Sequence, residues 1–526
     1  MSGIFQQARE LVWPAEAREA LVQRVRASVG EAEGQRVQRL EDFVGLVAQE
    51  ISQDDTLAKL RHLLFGPKTE TTKNVLGIPL GETEPSPVKP KAKGHGRNGQ
   101  EDYPGARVIC VKHPELQAGQ ICPKCGKGKL LELPPTNVIH VQAQPFIEAT
   151  KSQQERLRCA ICEAVYTAPL PPGVPNTKYD NGVGVMLGLM RFGFGVPHYR
   201  LARMQELFGV PLPESTQWEL MAQSQEAMKP VVNELMRVAA QGNLFHIDDT
   251  KMRVQELKKK GVATEAMEGK KPKQRTGIFT ASIQSFGPEW QVGLYMTGNQ
   301  YAAERMEVLM KLRAEGLAIP IQMSDALSWN GAKDYRFVEG LCLIHGRRAF
   351  VELASSSPEA SRRVLEDLRT VYEVDNEAKK FKLSPEARLE IHQERSGPVM
   401  AKLKGWMEEL LTLKRVEPNS ALGNAIGYFK KHWEGLTLFL RKAGAPLDNS
   451  IAERAIKRAV LHRKNSLSYL TQDGAEVGDT LMSLIETCRM NEVNPLHYLM
   501  ALVNHPKEVA RSPKDWLPWN YPRPPI

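Results

Sequence analysis

Two apolar runs that each end in an acidic residue restrict the fold of this chain more than any other feature. Residues 243–247 lead into Asp248, and residues 318–324 lead into Asp325. A short apolar run bounded by polar residues is typical of a buried β-strand. Two such strands in one sheet can bring their terminal carboxylates together at one edge. The sequence therefore predicts a sheet that carries an acidic site.

The residues between and before these runs favour the same sheet. Segments 277–283 and 290–295 predict two more strands, which would form an antiparallel meander with 243–247. A helical stretch from about 182 to 236 precedes the first strand. The pattern indicates a mixed α and β domain with the acids near its centre.

The acids predict a metal-dependent site. Mg²⁺ and Mn²⁺ prefer oxygen ligands and often use two or three carboxylates, and a pair of such ions can promote phosphodiester transfer. Glu453 is the candidate third acid, because residues 448–450 can start a helix and would place it in the first turns. The alternative is an exposed salt bridge between Glu453 and Lys457, with strand-end aspartates that only form turns.

Cysteine spacing predicts a second metal site. Seven cysteines in 526 residues are too few for a disulfide scaffold, and four of them form two C-x-x-C pairs. Two such turns present four thiolates, which suits tetrahedral zinc. The predicted Zn²⁺ ligands are Cys122, Cys125, Cys159 and Cys162. Unrelated redox or buried pairs are the alternative, and we interpret Cys110 and Cys488 as structural.

The N-terminal part predicts helices followed by a linker. Residues 10–64 are rich in Ala, Glu, Gln, Arg and Leu, which favours helix. Leu40, Val44, Val47 and Ile51 have coiled-coil spacing, although an amphipathic hairpin packed on the rest of the protein explains them equally well. Residues 66–105 are rich in Pro, Gly, Lys and Thr, which predicts a basic linker that is solvated or contacts DNA.

Composition bounds the class of protein. The hydrophobic fraction of 42% and the charged fraction of 25% exclude a wholly disordered or membrane-embedded chain. No run approaches about 18 apolar residues, and the first residues lack an export signal, so we expect a cytoplasmic protein. The net charge of +9 mildly favours a polyanionic partner.

Motifs along nearly the whole chain resemble the insertion sequence 66 family of bacterial transposases. The most specific is DNSIAER at 448–454, followed by HRKN at 462–465. The other matches are LFG at 64–66, GHGR at 94–97, the four cysteines, DDT at 248–250, CLIHGRRAF at 342–350 and LPWN at 517–520. Asp249 stands where the family usually has Glu, and Ser450 where Asn is common.

The resemblance implies a DDE transposase, a multidomain α+β protein with a ribonuclease-H-like α/β catalytic core. Asp248, Asp325 and Glu453 would be its catalytic acids and would bind Mg²⁺ or Mn²⁺. Asp249 is a competing ligand, although adjacent strand residues face opposite ways. The implied partners are the terminal repeats of an insertion element, target DNA, at least a second copy of the chain and small accessory proteins, with no membrane. The implied location is the bacterial cytoplasm, associated with the nucleoid.

Basic residues near the acids are the predicted DNA contacts, since phosphates require positive charge. They are Arg97, Arg347, Arg348, Arg454, Lys457, Arg458, Arg463 and Lys464. Cys342 and His345 would share one helix face, but two ligands do not complete a metal site. Core packing beside the active site is therefore the favoured interpretation of this pair.

The predicted domain boundaries follow from these features. They are an N-terminal helical or coiled-coil region at 1–66, a basic flexible linker at 67–105, a zinc-ribbon-like DNA-binding module at 106–170, a catalytic domain at 177–470 with a helical insertion at about 347–443, and a C-terminal helical region at 471–526. Two rival functions stay open at this point: a DNA-binding protein whose catalytic core has decayed, and a ribonuclease-H-like nuclease that cuts without joining.

Overall fold

The computed structural model describes residues 108–170 and 177–522, with gaps at 109, 132, 135–145, 159, 161, 163–164, 258–261, 264–273, 276 and 327–334. The described residues form two compact units, one of 177–203 and 212–522 and one of 108–170 and 204–211. The predicted N-terminal helices, the linker with Arg97, and Cys159 lie outside the described residues. The predicted domain boundaries therefore stay predictions.

The described residues contain both strands and helices, each numbered in chain order. The strands are β1 (Arg156–Arg158), β2 (Val165–Thr167), β3 (Leu244–Met252), β4 (Val262–Ala263), β5 (Gln274–Arg275), β6 (Ile278–Phe286), β7 (Gln291–Gly298), β8 (Ile321–Ser324) and β9 (Val338–Leu341). The α-helices are α1 (Asn181–Gly188), α2 (His198–Leu207), α3 (Glu214–Ala240), α4 (Ala302–Met310), α5 (Leu343–Glu352), α6 (Pro358–Lys380), α7 (Pro385–Ile391), α8 (Gly397–Thr412), α9 (Ala421–Leu436), α10 (Ser450–Ser466), α11 (Gln472–Met490), α12 (Pro495–Asn504) and α13 (Pro506–Arg511). None of the described helices is both long and apolar enough to span a bilayer.

A mixed five-stranded sheet forms the centre of the larger unit, with strand order β7-β6-β3-β8-β9. The strands β3, β6 and β7 are antiparallel, as the meander prediction required, and β8 and β9 run parallel to β3. Strand β6 is buried along nearly its whole length because it lies inside the sheet and is covered on its faces. The mixed α and β class of this unit is thereby confirmed.

Helix α11 covers the open edge of the sheet at β7. Asp479, Ser483 and Thr487 recur every fourth residue and so share one face of this helix. Their oxygens accept hydrogen bonds from the backbone N–H groups of Thr297, Tyr295 and Gly293, at 2.6, 2.9 and 3.1 Å respectively. A row of polar side chains thus replaces the missing strand, which keeps this edge from pairing with another chain.

The chain between β9 and α10 is helical and inserts α5 to α9 between two parts of the site. A single apolar cluster holds α5, α6, α8 and α9 together, with Phe350, Leu368, Leu403 and Phe429 fully buried. The rings of Phe350 and Phe429 meet edge to face, with centroids 5.7 Å apart. This packing fixes the start of α5, which lies directly beside the acids.

Candidate active site

The positions of Asp248 and Asp325 follow from the register of β3 and β8. His246 pairs with Met323 in these parallel strands. Two residues further along each strand, the same register sets Asp248 beside Asp325. Asp248 therefore lies beside Asp325, the residue that directly follows β8. The prediction that the first strand ends at Asp248 is wrong, because β3 stays paired with β6 as far as Met252.

Asp248 is partly buried, and its carboxyl group has a pKa raised to about 7. Burial is the largest cause, and the negative charges of Asp325, Asp249 and Glu453 add to it. The backbone N–H of Asp249 donates a 2.8 Å hydrogen bond to Oδ1 of Asp248, which opposes the rise and orients the carboxylate. The four acids are thus close enough to repel one another.

Asp249 has a different environment from its neighbour. Its Oδ2 accepts a 3.3 Å hydrogen bond from the backbone N–H of Ala302, the first residue of α4. Burial raises the pKa of Asp249, and the charge of Asp325 adds to this. A carboxylate in this position satisfies a free N–H at a helix N-terminus. Asp249 therefore has a structural task, and Asp248 fits the acidic site better.

Glu453 reaches the site from the first turn of α10. Its Oε1 lies 3.8 Å from Sγ of Cys342 and 3.8 Å from Nδ1 of His345. Burial raises the pKa of the Cys342 thiol to about 12, and the charge of Glu453 contributes. An exposed salt bridge with Lys457 would not explain these contacts. The structure thus brings Glu453 to the other acids and also to a Cys–His pair.

The side chain of Asn449 attaches the start of α10 to β3 through hydrogen bonds. The sequence indicated only that Asn449 could start a helix. Its Nδ2 donates to the carbonyl of Ile247 at 2.8 Å, and its Oδ1 lies 3.0 Å from Nδ1 of His246. Burial lowers the pKa of His246 to about 4, so the neutral imidazole donates to the amide oxygen. The sequence contained one indication that His246 lies near the site: it precedes Asp248 by two residues, so the two side chains are on the same face of β3.

Replacing Asn449→Ala is expected to lower the free energy of unfolding by about 2 kcal/mol. The change leaves the buried carbonyl of Ile247 and the buried imidazole of His246 without their partner. Urea unfolding followed by circular dichroism measures the effect. The matched control is Asn424→Ala at an exposed position of α9, where a change within about 0.5 kcal/mol is expected. Equal losses of unfolding free energy in Asn449→Ala and Asn424→Ala would contradict the attachment of α10 to β3 through Asn449.

Comparison with known families decides what kind of protein carries this site. The sequence model of the transposase IS66 family matches residues 183–477, more than half of the 526 residues. The chain belongs to the transposase IS66 family. The resemblance inferred from the motifs is thereby confirmed, and the matched region contains Asp248, Asp325 and Glu453. Family membership implies a transposase role, DNA as a partner and the use of divalent metal.

The chain is also similar to proteins from Sinorhizobium fredii, and two of those described here align over more of it than the family model matches. The uncharacterized protein y4jD is 25% identical over 506 residues, covering 88% of this chain and 93% of its own length. The uncharacterized protein y4hP is 25% identical over 431 residues, covering 76% and 73%. The uncharacterized protein y4qI is 28% identical over 220 residues, covering 40% and 39%. The similarity to y4jD includes most of the chain outside the family region.

Two arginines that the sequence assigned to DNA bind protein groups in the transposase domain. Arg458 contacts Oε2 of Glu486 at 3.1 Å and donates to the carbonyl of Gly193 at 3.2 Å. Arg463 donates to Oγ1 of Thr250 at 2.9 Å. Both guanidinium groups therefore hold α10 against neighbouring elements, and these two residues are left out of the DNA surface proposed below.

The remaining described candidates of the transposase are accessible. Arg348, Arg454, Lys457 and Lys464 are exposed, and Arg347 is partly exposed on α5. Arg454, Lys457 and Lys464 are three and seven residues apart, so they share one face of α10. This basic stripe lies on the helix that carries Glu453.

Cys122 and Cys125 lie in a tight turn of the smaller unit. The N–H of Cys122 donates to the carbonyl of Gly128 at 2.7 Å, and Gly126 adopts a φ of 64°, which favours glycine. The backbone N–H groups of Gly128 and Lys127 lower the pKa of the Cys125 thiol. Such donors favour a thiolate, the form that zinc binds. Cys162 is exposed and Cys159 lies outside the described residues, so the four-ligand zinc site stays a prediction.

Proposed function

We propose that this chain is a DDE transposase that cuts DNA at the ends of an insertion element and joins the freed ends to target DNA. The convergence of Asp248 with Asp325 and Glu453 carries the proposal, since the charges of the other two acids act on the carboxyl group of Asp248. The sheet supports a ribonuclease-H-like core, because three antiparallel strands are followed by two that run parallel to the first.

The donor set fits a hard divalent cation. Three carboxylates supply the oxygen ligands, those of Asp248, Asp325 and Glu453. Their negative charges repel one another, and a bound cation would reduce this repulsion. These three residues would hold Mg²⁺ or Mn²⁺. When bound, the metal would lower the pKa of the attacking hydroxyl and neutralise charge on the leaving oxygen.

The residues of this chain position the reacting groups. Asp248 is oriented by the N–H of Asp249, and Glu453 is held in reach by the attachment of α10 to β3 through Asn449. In the proposed first step the oxygen of water bonds to phosphorus while the 3′ oxygen leaves. In the second step that 3′ hydroxyl attacks a target phosphodiester and displaces its 3′ oxygen. A rigid arrangement of the acids favours both in-line attacks.

A cleavage and joining assay tests this function. The full-length protein, Mg²⁺ and a labelled duplex with an element end are expected to give a nick at the end and then joined products. A pre-cut end isolates the joining step. Cleavage without joining would instead establish the nuclease, and DNA binding without either reaction would establish a decayed core.

The basic stripe of Arg454, Lys457 and Lys464 is proposed to contact DNA phosphates. Changing all three residues to Gln is expected to make the negative slope of log affinity against log salt concentration shallower by about 2 to 3, since each lost phosphate contact removes about 0.9 from its magnitude. Fluorescence anisotropy of an element-end duplex at several salt concentrations measures that slope.

The matched control removes the same charge from another helical surface of the same unit. Lys507, Arg511 and Lys514 are exposed near the C-terminal end and are changed to Gln together. The control is expected to keep the wild-type slope. Equal slopes in the two triple variants would remove α10 from the DNA surface.

The rest of the chain is proposed to recognise the element. The cysteine module at 106–170, with Zn²⁺ bound, and the regions 1–66 and 67–105 would contact the terminal repeats. Pairing two ends requires at least two copies of the chain, and small accessory proteins of the same element are proposed partners. The turn at Cys122 and Cys125 supports the zinc part of this proposal.

A further inference from the structure

We propose that Cys342, His345 and Glu453 form a binding site for Zn²⁺, separate in chemistry from the oxygen-ligand site, and that zinc bound there inhibits the transposase by capturing Glu453. The pair Cys342 and His345 lacked a third ligand in the sequence. The structure supplies one from a helix more than 100 residues away, since 453 − 345 = 108.

The ligand atoms are already close to a zinc geometry. Sγ of Cys342 and Nδ1 of His345 each lie 3.8 Å from Oε1 of Glu453, and all three ligand atoms lie within 4.8 Å of one another. Tetrahedral zinc with bonds of about 2.0 to 2.3 Å needs ligand atoms roughly 3.3 to 3.8 Å apart. The thiol and imidazole atoms need to approach by at most about 1 to 1.5 Å, and the imidazole and carboxylate atoms by about 0.5 Å.

The surroundings of the three ligands suit a metal thiolate. The backbone N–H of Asn449 lies 3.3 Å from Sγ of Cys342, and such donors stabilise a bound thiolate. Nδ1 of His345 is buried and makes no hydrogen bond within the described part of the chain. The side chains of His345 and Glu453 are 31% and 30% exposed, so a water molecule can complete the coordination. Three protein ligands and one open position result.

The chemistry of the ligands selects the metal. Thiolate and imidazole favour zinc, whereas Mg²⁺ requires oxygen ligands. Binding releases the thiol proton of Cys342 to solvent. Because Oε1 of Glu453 would bond to zinc, this carboxylate would be drawn towards α5 and away from Asp248. Zinc and magnesium therefore compete for Glu453, and this second part rests on the proposed function.

Metal content tests the site directly. Full-length protein is saturated with Zn²⁺, dialysed and assayed for zinc per chain. The wild type is expected to hold one zinc more than Cys342→Ser, His345→Asn or Glu453→Gln, while the cysteine module contributes equally to all four. Cys488→Ser removes another buried thiol of the same unit and is expected to keep the wild-type content. Equal zinc content in wild type and Cys342→Ser would overturn the proposal.

Cobalt provides a readout of the thiolate bond. Co²⁺ is expected to give thiolate-to-metal absorption that is lower in Cys342→Ser than in wild type or Cys488→Ser. Circular dichroism shows which variants are folded, and His345→Asn, which leaves every thiol in place, repeats the test should Cys342→Ser unfold. Identical cobalt spectra for wild type and folded His345→Asn would also overturn the site.

Inhibition is measured separately from binding. With Mg²⁺ fixed, the zinc concentration that halves strand transfer is expected to rise at least about tenfold in Cys342→Ser, relative to the zinc-free rate of that variant. An unchanged concentration would overturn the inhibitory part alone. Zinc bound by a chain without strand transfer would support the site and contradict the proposed function, so the two failures are distinguishable.

Discussion

Asp248→Asn, Asp325→Asn and Glu453→Gln are each expected to lower DNA cleavage and strand transfer by about a thousandfold or more. Each change removes one charged metal ligand at nearly constant volume, and a loss of about 4 kcal/mol of transition-state stabilisation corresponds to that factor. Single-turnover assays with a pre-cut element end measure strand transfer, and the uncut duplex measures cleavage. Anisotropy with the same duplex is expected to show DNA binding within a few-fold of wild type.

The neighbouring acid supplies the control for this prediction. Asp249→Asn keeps an oxygen that accepts the N–H of Ala302, so its activity is expected to fall by less than about tenfold. A loss at 249 as large as the loss at 248 would place Asp249 in the metal site. Full activity of Glu453→Gln would remove Glu453 from the reaction.

The sheet and its acids could be predicted because their signals are local. The runs before Asp248 and Asp325 are short, apolar and end abruptly, and the structure has strands β3 and β8 there in parallel register. Strand β3 continues four residues past Asp248, so the parallel register, and not a shared strand end, brings the two acids together. The position of Glu453 needed only a helix start at 448–450, and α10 begins at Ser450.

The contacts of polar side chains could not be predicted because they depend on distant partners. In the sequence, Arg458 is one of several basic residues of α10 and looks no different from the exposed ones. In the structure it pairs with the buried Glu486 of α11. Asp479, Ser483 and Thr487 resemble a solvated helix face, but they cover the N–H groups of an edge strand. The sequence shows which residues share one face of a helix, but it does not show which residues of other elements pack against that face.

The raised pKa of Asp248 also predicts how this residue's contribution to the stability of the metal-free protein depends on pH. The carboxyl group titrates near its ordinary value of 3.8 when unfolded and at about 7 when folded. Between these two values the unfolded chain loses this proton first, so the contribution of Asp248 to the stability of the metal-free protein falls as pH rises from about 4 and levels off above about 7. The penalty is absent below pH 4 and fully present at pH 8.

Asp248→Asn is therefore expected to stabilise the metal-free protein, and its advantage over wild type should grow by about 2 to 3 kcal/mol between pH 5 and pH 8, because Asn carries no charge to desolvate. Urea unfolding in chelator at both pH values measures this difference. Asp473→Asn, at an exposed position in the first turn of α11, is the control and should show no such growth. Added Mg²⁺ should raise the wild-type midpoint at pH 8 and leave that of Asp248→Asn nearly unchanged, since metal binds the folded state through this carboxylate. A pH-independent difference between wild type and Asp248→Asn would show that the pKa of Asp248 is not raised in the folded, metal-free protein.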